Sequence, residues 1–151
     1  MIFKENEITI IIPEDVICEL SKYYTDNTKE VGGILLGRFA GKMVYEITEI
    51  ACVNSQYNTR IHYQRDVKKA QSIINKRWDE TKGEINYLGE WHTHPNMHAS
   101  PSTTDMKSLS AIMKQVGQVL PVVMLIILGA NNKTSLSVRK ENINYACIFD
   151  R

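Results

Sequence analysis

The chain has 151 residues, enough for one domain that buries its own core without disulfide staples. An apolar fraction of 43% and a charged fraction of 23% are ordinary for a globular protein and exclude a disordered chain. Eighteen basic and 17 acidic residues leave a net charge of +1 with no long block of one sign, so neither a nucleic-acid-binding nor a membrane-binding face is expected.

In chain order, Glu7–Ile12 is β-branched and reads as a strand. Pro13 suits the first turn of a helix running to about Tyr24, with Ile17 and Leu20 facing inward. Thr25–Lys29 is a polar loop. Val31–Phe39 and Met43–Val53 read as two strands joined by the short Ala40-Gly41-Lys42 connection of a hairpin. The polar stretch Asn54–Arg65, with His62 in it, reads as a long loop. Asp66 caps a helix that ends near Lys82 with Gly83 as its stop, and Val67, Ala70, Ile74 and Trp78 fall on one face. Ile85–Thr93 is a strand and Asn96–Pro101 a loop. Ser102 starts a helix whose apolar stripe is Met106, Leu109, Met113 and Val116. Val122–Leu128, Ser135–Val138 and Ile143–Phe149 are closing strands, the first two separated by the turn Gly129-Ala130-Asn131-Asn132. Strands outnumber helices in a mixed order, which predicts an α/β fold: a mixed central sheet flanked by helices, within a single domain over 1–151.

Cys18, Cys52 and Cys147 are odd in number and widely spaced, with no C-x-x-C, so neither a disulfide framework nor a cysteine metal site is expected. They are expected to be small buried side chains in a reducing compartment. The N-terminus lacks the basic and apolar regions of a signal peptide, and the most apolar run, Val119–Leu128, is too short to cross a bilayer and contains Pro121. A cytoplasmic protein is expected.

Chemistry concentrates in Gly89-Glu90-Trp91-His92-Thr93-His94-Pro95 and Ser102-Thr103-Thr104-Asp105. Side chains alternate across a strand, so His92 and His94 project from one face and Trp91 from the other. Two adjacent imidazoles suit zinc, and Asp105, in the first turn of the following helix, supplies a third ligand. Two histidines and a carboxylate leave one position open, the pattern of catalytic zinc. A bound water then reaches a pKa of about 7 and needs a base to take its proton. Ser102-x-x-Asp105 also reads as a helix cap that needs no metal, and both roles can hold together. Glu90, two residues before His92, shares the ligand face and is a candidate acceptor that orients a histidine. His98, in the loop between the ligand groups, is either a substrate contact or a solvated loop residue. Thr103 and Thr104 read as helix-start residues.

Glu30, His92-x-His94-Pro95, Ser102 and Asp105 at these spacings, with Glu30-x-x-Gly33-x-Leu35-x-Gly37, resemble the signature of the JAMM (MPN-plus) zinc metalloprotease family. The resemblance implies a fold similar to the cytidine deaminases and one catalytic Zn2+ on His92, His94 and Asp105. It implies that Glu30 is general base and then proton donor to the leaving amine, and that Ser102 donates to the oxyanion. Such a donor is worth roughly 3–4 kcal/mol in comparable sites. Family members cleave peptide or isopeptide bonds next to the C-terminal tail of ubiquitin-like proteins. The compact form is similar to the stand-alone bacterial members, including the deconjugating isopeptidase of CBASS antiphage operons. That likeness implies a protein substrate with a conjugated C-terminal tail, either a CD-NTase-like nucleotidyltransferase or a ubiquitin-like protein, and an E1/E2-like enzyme in the same pathway. A peptidase that processes a sulfur carrier or a cell-wall peptide, and a non-catalytic MPN scaffold, are the alternatives. A nucleobase deaminase would need H-x-E and P-C-x-x-C, which the sequence lacks.

Overall fold

The computed structural model describes residues 1–25, 29–54 and 66–151, so residues 55–65 of the polar stretch, His62 among them, and residues 26–28 of the expected Thr25–Lys29 loop lie outside the described residues. The elements run β1 (Ile2–Glu5), β2 (Ile8–Ile11), α1 (Glu14–Ser21), β3 (Gly32–Gly41), β4 (Val44–Cys52) and α2 (Val67–Glu80). They continue with β5 (Asn86–Thr93), α3 (Thr103–Val116), β6 (Val123–Leu128), β7 (Lys133–Lys140) and β8 (Ile143–Asp150). The strands form one sheet in the order β1-β2-β4-β3-β5-β6-β7-β8. The pairs β2–β4 and β5–β6 are parallel and the rest antiparallel, which makes the expected mixed sheet.

β6 lies inside the sheet between β5 and β7, and all six of its residues are buried, which explains its unbroken Val-Met-Leu-Ile-Ile-Leu run. Each such side chain contributes about 1.5–3 kcal/mol by leaving water. β8 is an edge strand and alternates between exposed and half-buried residues instead. Helix α2 packs on β3 and β5, α3 on β6 and β7, and α1 on β4. The larger core cluster centres on Trp91, Leu88, Leu35 and the β6 residues; a smaller one joins Ala70 of α2 to Ile34, Leu36, Val53 and Ile85. Trp91 is fully buried, and the Tyr23 ring lies 4.9 Å from it, centroid to centroid. No helix among the described residues is long and apolar enough to cross a membrane.

Several local expectations are corrected. β1 pairs with β2 as an additional strand at the sheet edge. Pro13 is the N-cap rather than the first helical residue, and α1 ends at Ser21, whose hydroxyl donates back to the Ile17 carbonyl. The β3–β4 hairpin turns at Lys42-Met43, with Met43 in the left-handed region at φ 55, and Gly41 belongs to the strand. On α2, Val67 and Trp78 are 62% and 50% exposed, so the inward stripe is Ala70, Ile73 and Ile74. Cys18 is exposed and Cys52 and Cys147 are half-buried, which leaves none of the three in the core.

Two features of the sheet bear on the site. β3 approaches β4 so closely at Gly33 that a Cβ there would lie 1.7 Å from the Ala51 carbonyl oxygen. β3 also pairs with β5 with Gly32 opposite His92. The Thr93 amide donates to the Val31 carbonyl and the Val31 amide to the Thr93 hydroxyl, at 2.8 and 3.0 Å. That extends the pairing beyond the strand and brings Glu30 opposite His94.

Candidate metal centre

His92 and His94 leave the C-terminal end of β5 on one face, as period-two alternation requires. The chain then turns at Pro95 and Asn96, the latter in the left-handed region at φ 58, and returns through the loop at residues 96–101 to Ser102. Ser102 is the N-cap of α3. Its hydroxyl accepts from the Asp105 amide at 3.1 Å, and the Asp105 carboxylate accepts from the Ser102 amide at 2.7 Å, a reciprocal capping box. This box fixes the Asp105 side chain at the positive end of the helix and aims it at the histidines.

The result is a convergent donor set. His92 Nε2 lies 3.1 Å from His94 Nε2 and 3.2 Å from Asp105 Oδ1, and His94 Nε2 lies 3.4 Å from Asp105 Oδ2. Zinc bonds of about 2.0–2.1 Å arranged tetrahedrally put ligand atoms about 3.3–3.4 Å apart. Each imidazole nitrogen thus has the other nitrogen and one carboxylate oxygen close to that spacing, Oδ1 for His92 and Oδ2 for His94. Among the described residues, His92, His94 and Asp105 form the group that can hold a metal ion.

The tautomer of His94 follows from its other nitrogen. Nδ1 lies 3.2 Å from the His98 carbonyl oxygen. A carbonyl only accepts, so Nδ1 carries the proton and a neutral His94 presents its Nε2 lone pair to the cluster. Burial pushes His92 below the ordinary imidazole value despite the pull of Asp105, which favours the neutral, metal-binding form. Burial also disfavours charge on His94, but the carboxylates of Asp105 and Glu30 and the His98 carbonyl outweigh it, and the net shift is upward. For Asp105, burial opposes ionisation, yet its close polar contacts with both histidines and with the Ser102 amide hold its carboxyl well below the usual carboxylate range.

Glu30 is buried at 4% exposure, with Oε1 3.8 Å from His94 Nε2. It stands beside the cluster without joining the capping box. Glu90 lines the same cleft as His92 and accepts from the Tyr87 hydroxyl at 3.4 Å. His98 is exposed and lines the cleft, and it reaches the cluster through its main-chain oxygen. Thr103 opens α3, while Thr104 lines the cleft wall.

The cluster lies in a cleft of about 1040 Å³. Leu109, Ile112 and Leu125 supply apolar surface, the exposed Val67 marks one rim, and Ser102 and Ser108 are polar points along it. The seat of the 96–101 loop is not legible in the sequence. The Tyr24 hydroxyl accepts from the Asn96 amide, the Ala130 amide donates to the Met97 carbonyl, and the Ser135 hydroxyl donates to the Ala99 carbonyl. These contacts join distant segments and leave no local signal in the chain.

The family described as prokaryotic homologs of the JAB domain matches residues 20–140. A Pseudomonas aeruginosa protein named CD-NTase/cGAS isopeptidase is 31% identical over 109 residues, covering 71% of this chain and 67% of that one. A Vibrio cholerae protein of the same name is 33% identical, covering 72% and 71%. A probable metalloprotease of Sinorhizobium fredii is 30% identical, covering 82% and 78%. In three dimensions the chain is similar to a Desulfitobacterium hafniense protein solved in solution, with a TM-score of 0.68 at 18% identity, covering 91% of this chain and 89% of that one; this likeness concerns the fold.

Proposed function

The chain belongs to the prokaryotic homologues of the JAB domain, and on that premise we propose that it is a zinc-dependent isopeptidase of the stand-alone bacterial JAMM type. Its reaction is hydrolysis of the amide that joins the C-terminal tail of a conjugated bacterial protein to its target. The names of two relatives support a CD-NTase-like nucleotidyltransferase as the conjugated protein, and the resemblance to the CBASS isopeptidase carries the further reading of a role in antiphage defence alongside E1/E2-like conjugating enzymes.

One observation carries the reading: a buried carboxylate, Glu30, faces a convergent His-His-Asp donor set in an open cleft. A zinc ion held by His92, His94 and Asp105 would supply Lewis acidity that lowers the pKa of water to about 7 and polarises the scissile carbonyl. Glu30, shielded from solvent and 3.8 Å from His94 Nε2, takes the proton of the attacking water and returns it to the leaving amine. The Ser102 hydroxyl spends a lone pair on the Asp105 amide, which leaves its own proton to donate to the developing oxyanion. His98 holds the His94 ring in one orientation through its main-chain carbonyl. The apolar side of the cleft excludes water from the extended tail.

The test is a carrier protein fused through its C-terminus to a reporter, or conjugated to a lysine side chain. Glu30→Gln should bind zinc with wild-type stoichiometry yet lose about 10²–10⁴-fold in cleavage rate. Full activity in that variant would overturn the assignment of the base. Wild-type protein, purified without chelator, that neither contains nor takes up zinc would overturn the metal reading.

A further inference from the structure

We infer that Ser135 is a positioning residue for His94, acting through the loop at residues 96–100; the inference rests on the zinc reading above. Ser135 lies on β7, two strands away from the metal cluster, in the row His92, Ile127, Ser135 set by the strand pairings. It is 2% exposed, and its hydroxyl donates to the Ala99 carbonyl at 2.5 Å. Ala99 is itself buried at 3% exposure. The preceding carbonyl, that of His98, accepts the Nδ1 proton of His94 at 3.2 Å.

The peptide unit that carries the His98 oxygen is held from three sides. Downstream, Ser135 anchors the Ala99 carbonyl. Upstream, the Ala130 amide donates to the Met97 carbonyl at 2.7 Å. From behind, Gly129 packs so closely that a Cβ there would lie 2.3 Å from the Ala99 nitrogen and 2.7 Å from the His98 carbonyl carbon. Ser135 is the side-chain member of this support. Without its hydroxyl the Ala99 carbonyl is buried without that donor, and the loop relieves the loss by shifting toward water. The His98 oxygen moves with it, and the His94 ring loses the bond that fixes both its rotation and its tautomer. Partners of this kind, one step removed from the metal, typically account for 10–100-fold in metal affinity.

A serine that merely satisfied a buried carbonyl would affect folding and leave the affinity for metal alone. The experiment therefore compares Ser135→Thr with Ser135→Val, nearly isosteric strand formers that differ in the hydroxyl, and adds Ser135→Ala. Each purified protein is titrated with zinc against a competing chelator, and the metal-free form is melted in parallel. The expected result is a zinc affinity near wild type for Ser135→Thr, at least about tenfold weaker for Ser135→Val, and at least as weak for Ser135→Ala where it folds. Equal affinities of the Thr and Val variants overturn the inference, whatever their melting temperatures. A wild-type protein that binds no zinc overturns the metal reading instead, so the two failures are distinguishable.

Discussion

Asp105 uses one carboxylate for two purposes. Oδ2 accepts from the Ser102 amide and also faces His94, while Oδ1 faces His92. A capping box usually places glutamate or glutamine at this third helical position. Aspartate is one methylene shorter, which sets the carboxylate at the histidines instead of among them. Asp105→Glu should therefore separate the roles. The cap survives, and urea unfolding of the metal-free protein should change by less than about 0.5 kcal/mol. Zinc affinity, read by chelator competition, should fall at least about tenfold, because metal ligands tolerate only about 0.5 Å of misplacement. Stability lost in step with affinity would show that the longer side chain breaks the cap as well. At this scale the Ser102-x-x-Asp105 spacing reads both as a cap and as a ligand-bearing segment; the structure forms the cap and turns the same carboxylate toward the histidines.

The strands show which signals travel locally and which do not. His92 and His94 share a face because alternation is a property of one strand, and two residues suffice to see it. The place of Glu30 depends on the register between β3 and β5, where Gly32 stands opposite His92, and no local pattern encodes that register. The resemblance to a known signature singles out Glu30 without saying how the sheet brings it there. On α2 the apolar periodicity was real, but it misplaced Val67 and Trp78: Val67 opens on the cleft rim, and Trp78 lies against Gly83 at the far end of the helix. Apolarity alone does not say which turn of a helix has sheet beneath it. Gly33 connects the register to stability. Gly33→Ala would drive a Cβ into the Ala51 carbonyl, and should cost about 1–3 kcal/mol in denaturant unfolding while displacing Glu30 and slowing cleavage. Gly41→Ala, where a Cβ would meet Val44 at an ordinary 3.5 Å, serves as the control and should be near neutral. Similar losses at both positions would contradict the close-approach argument.

For the whole molecule, the metal cluster ties the end of β5 to the start of α3, so metal bound there stabilises the native state by mass action. At a free zinc concentration a thousandfold above its dissociation constant, that amounts to about 4 kcal/mol. For a chain of this size each kcal/mol moves the melting temperature by about 2–4 °C, so adding chelator should lower it by about 8–16 °C. Asp105→Asn should show little of this shift. A chelator-insensitive wild type in calorimetry would argue against zinc at this centre.

The proposed ligands and the proposed base are also separated along the chain. His92, His94 and Asp105 lie between residues 92 and 105, whereas Glu30 arrives through a contact between Val31 and Thr93 that spans 62 positions. Local contacts close quickly and distant ones slowly. During refolding the segment carrying the histidines is therefore expected to capture metal before β3 docks, giving a loaded but inert state. A zinc-displacement signal that leads recovery of cleavage in a stopped refolding series is the expected outcome; simultaneous recovery would mean that the whole sheet forms before the site takes metal.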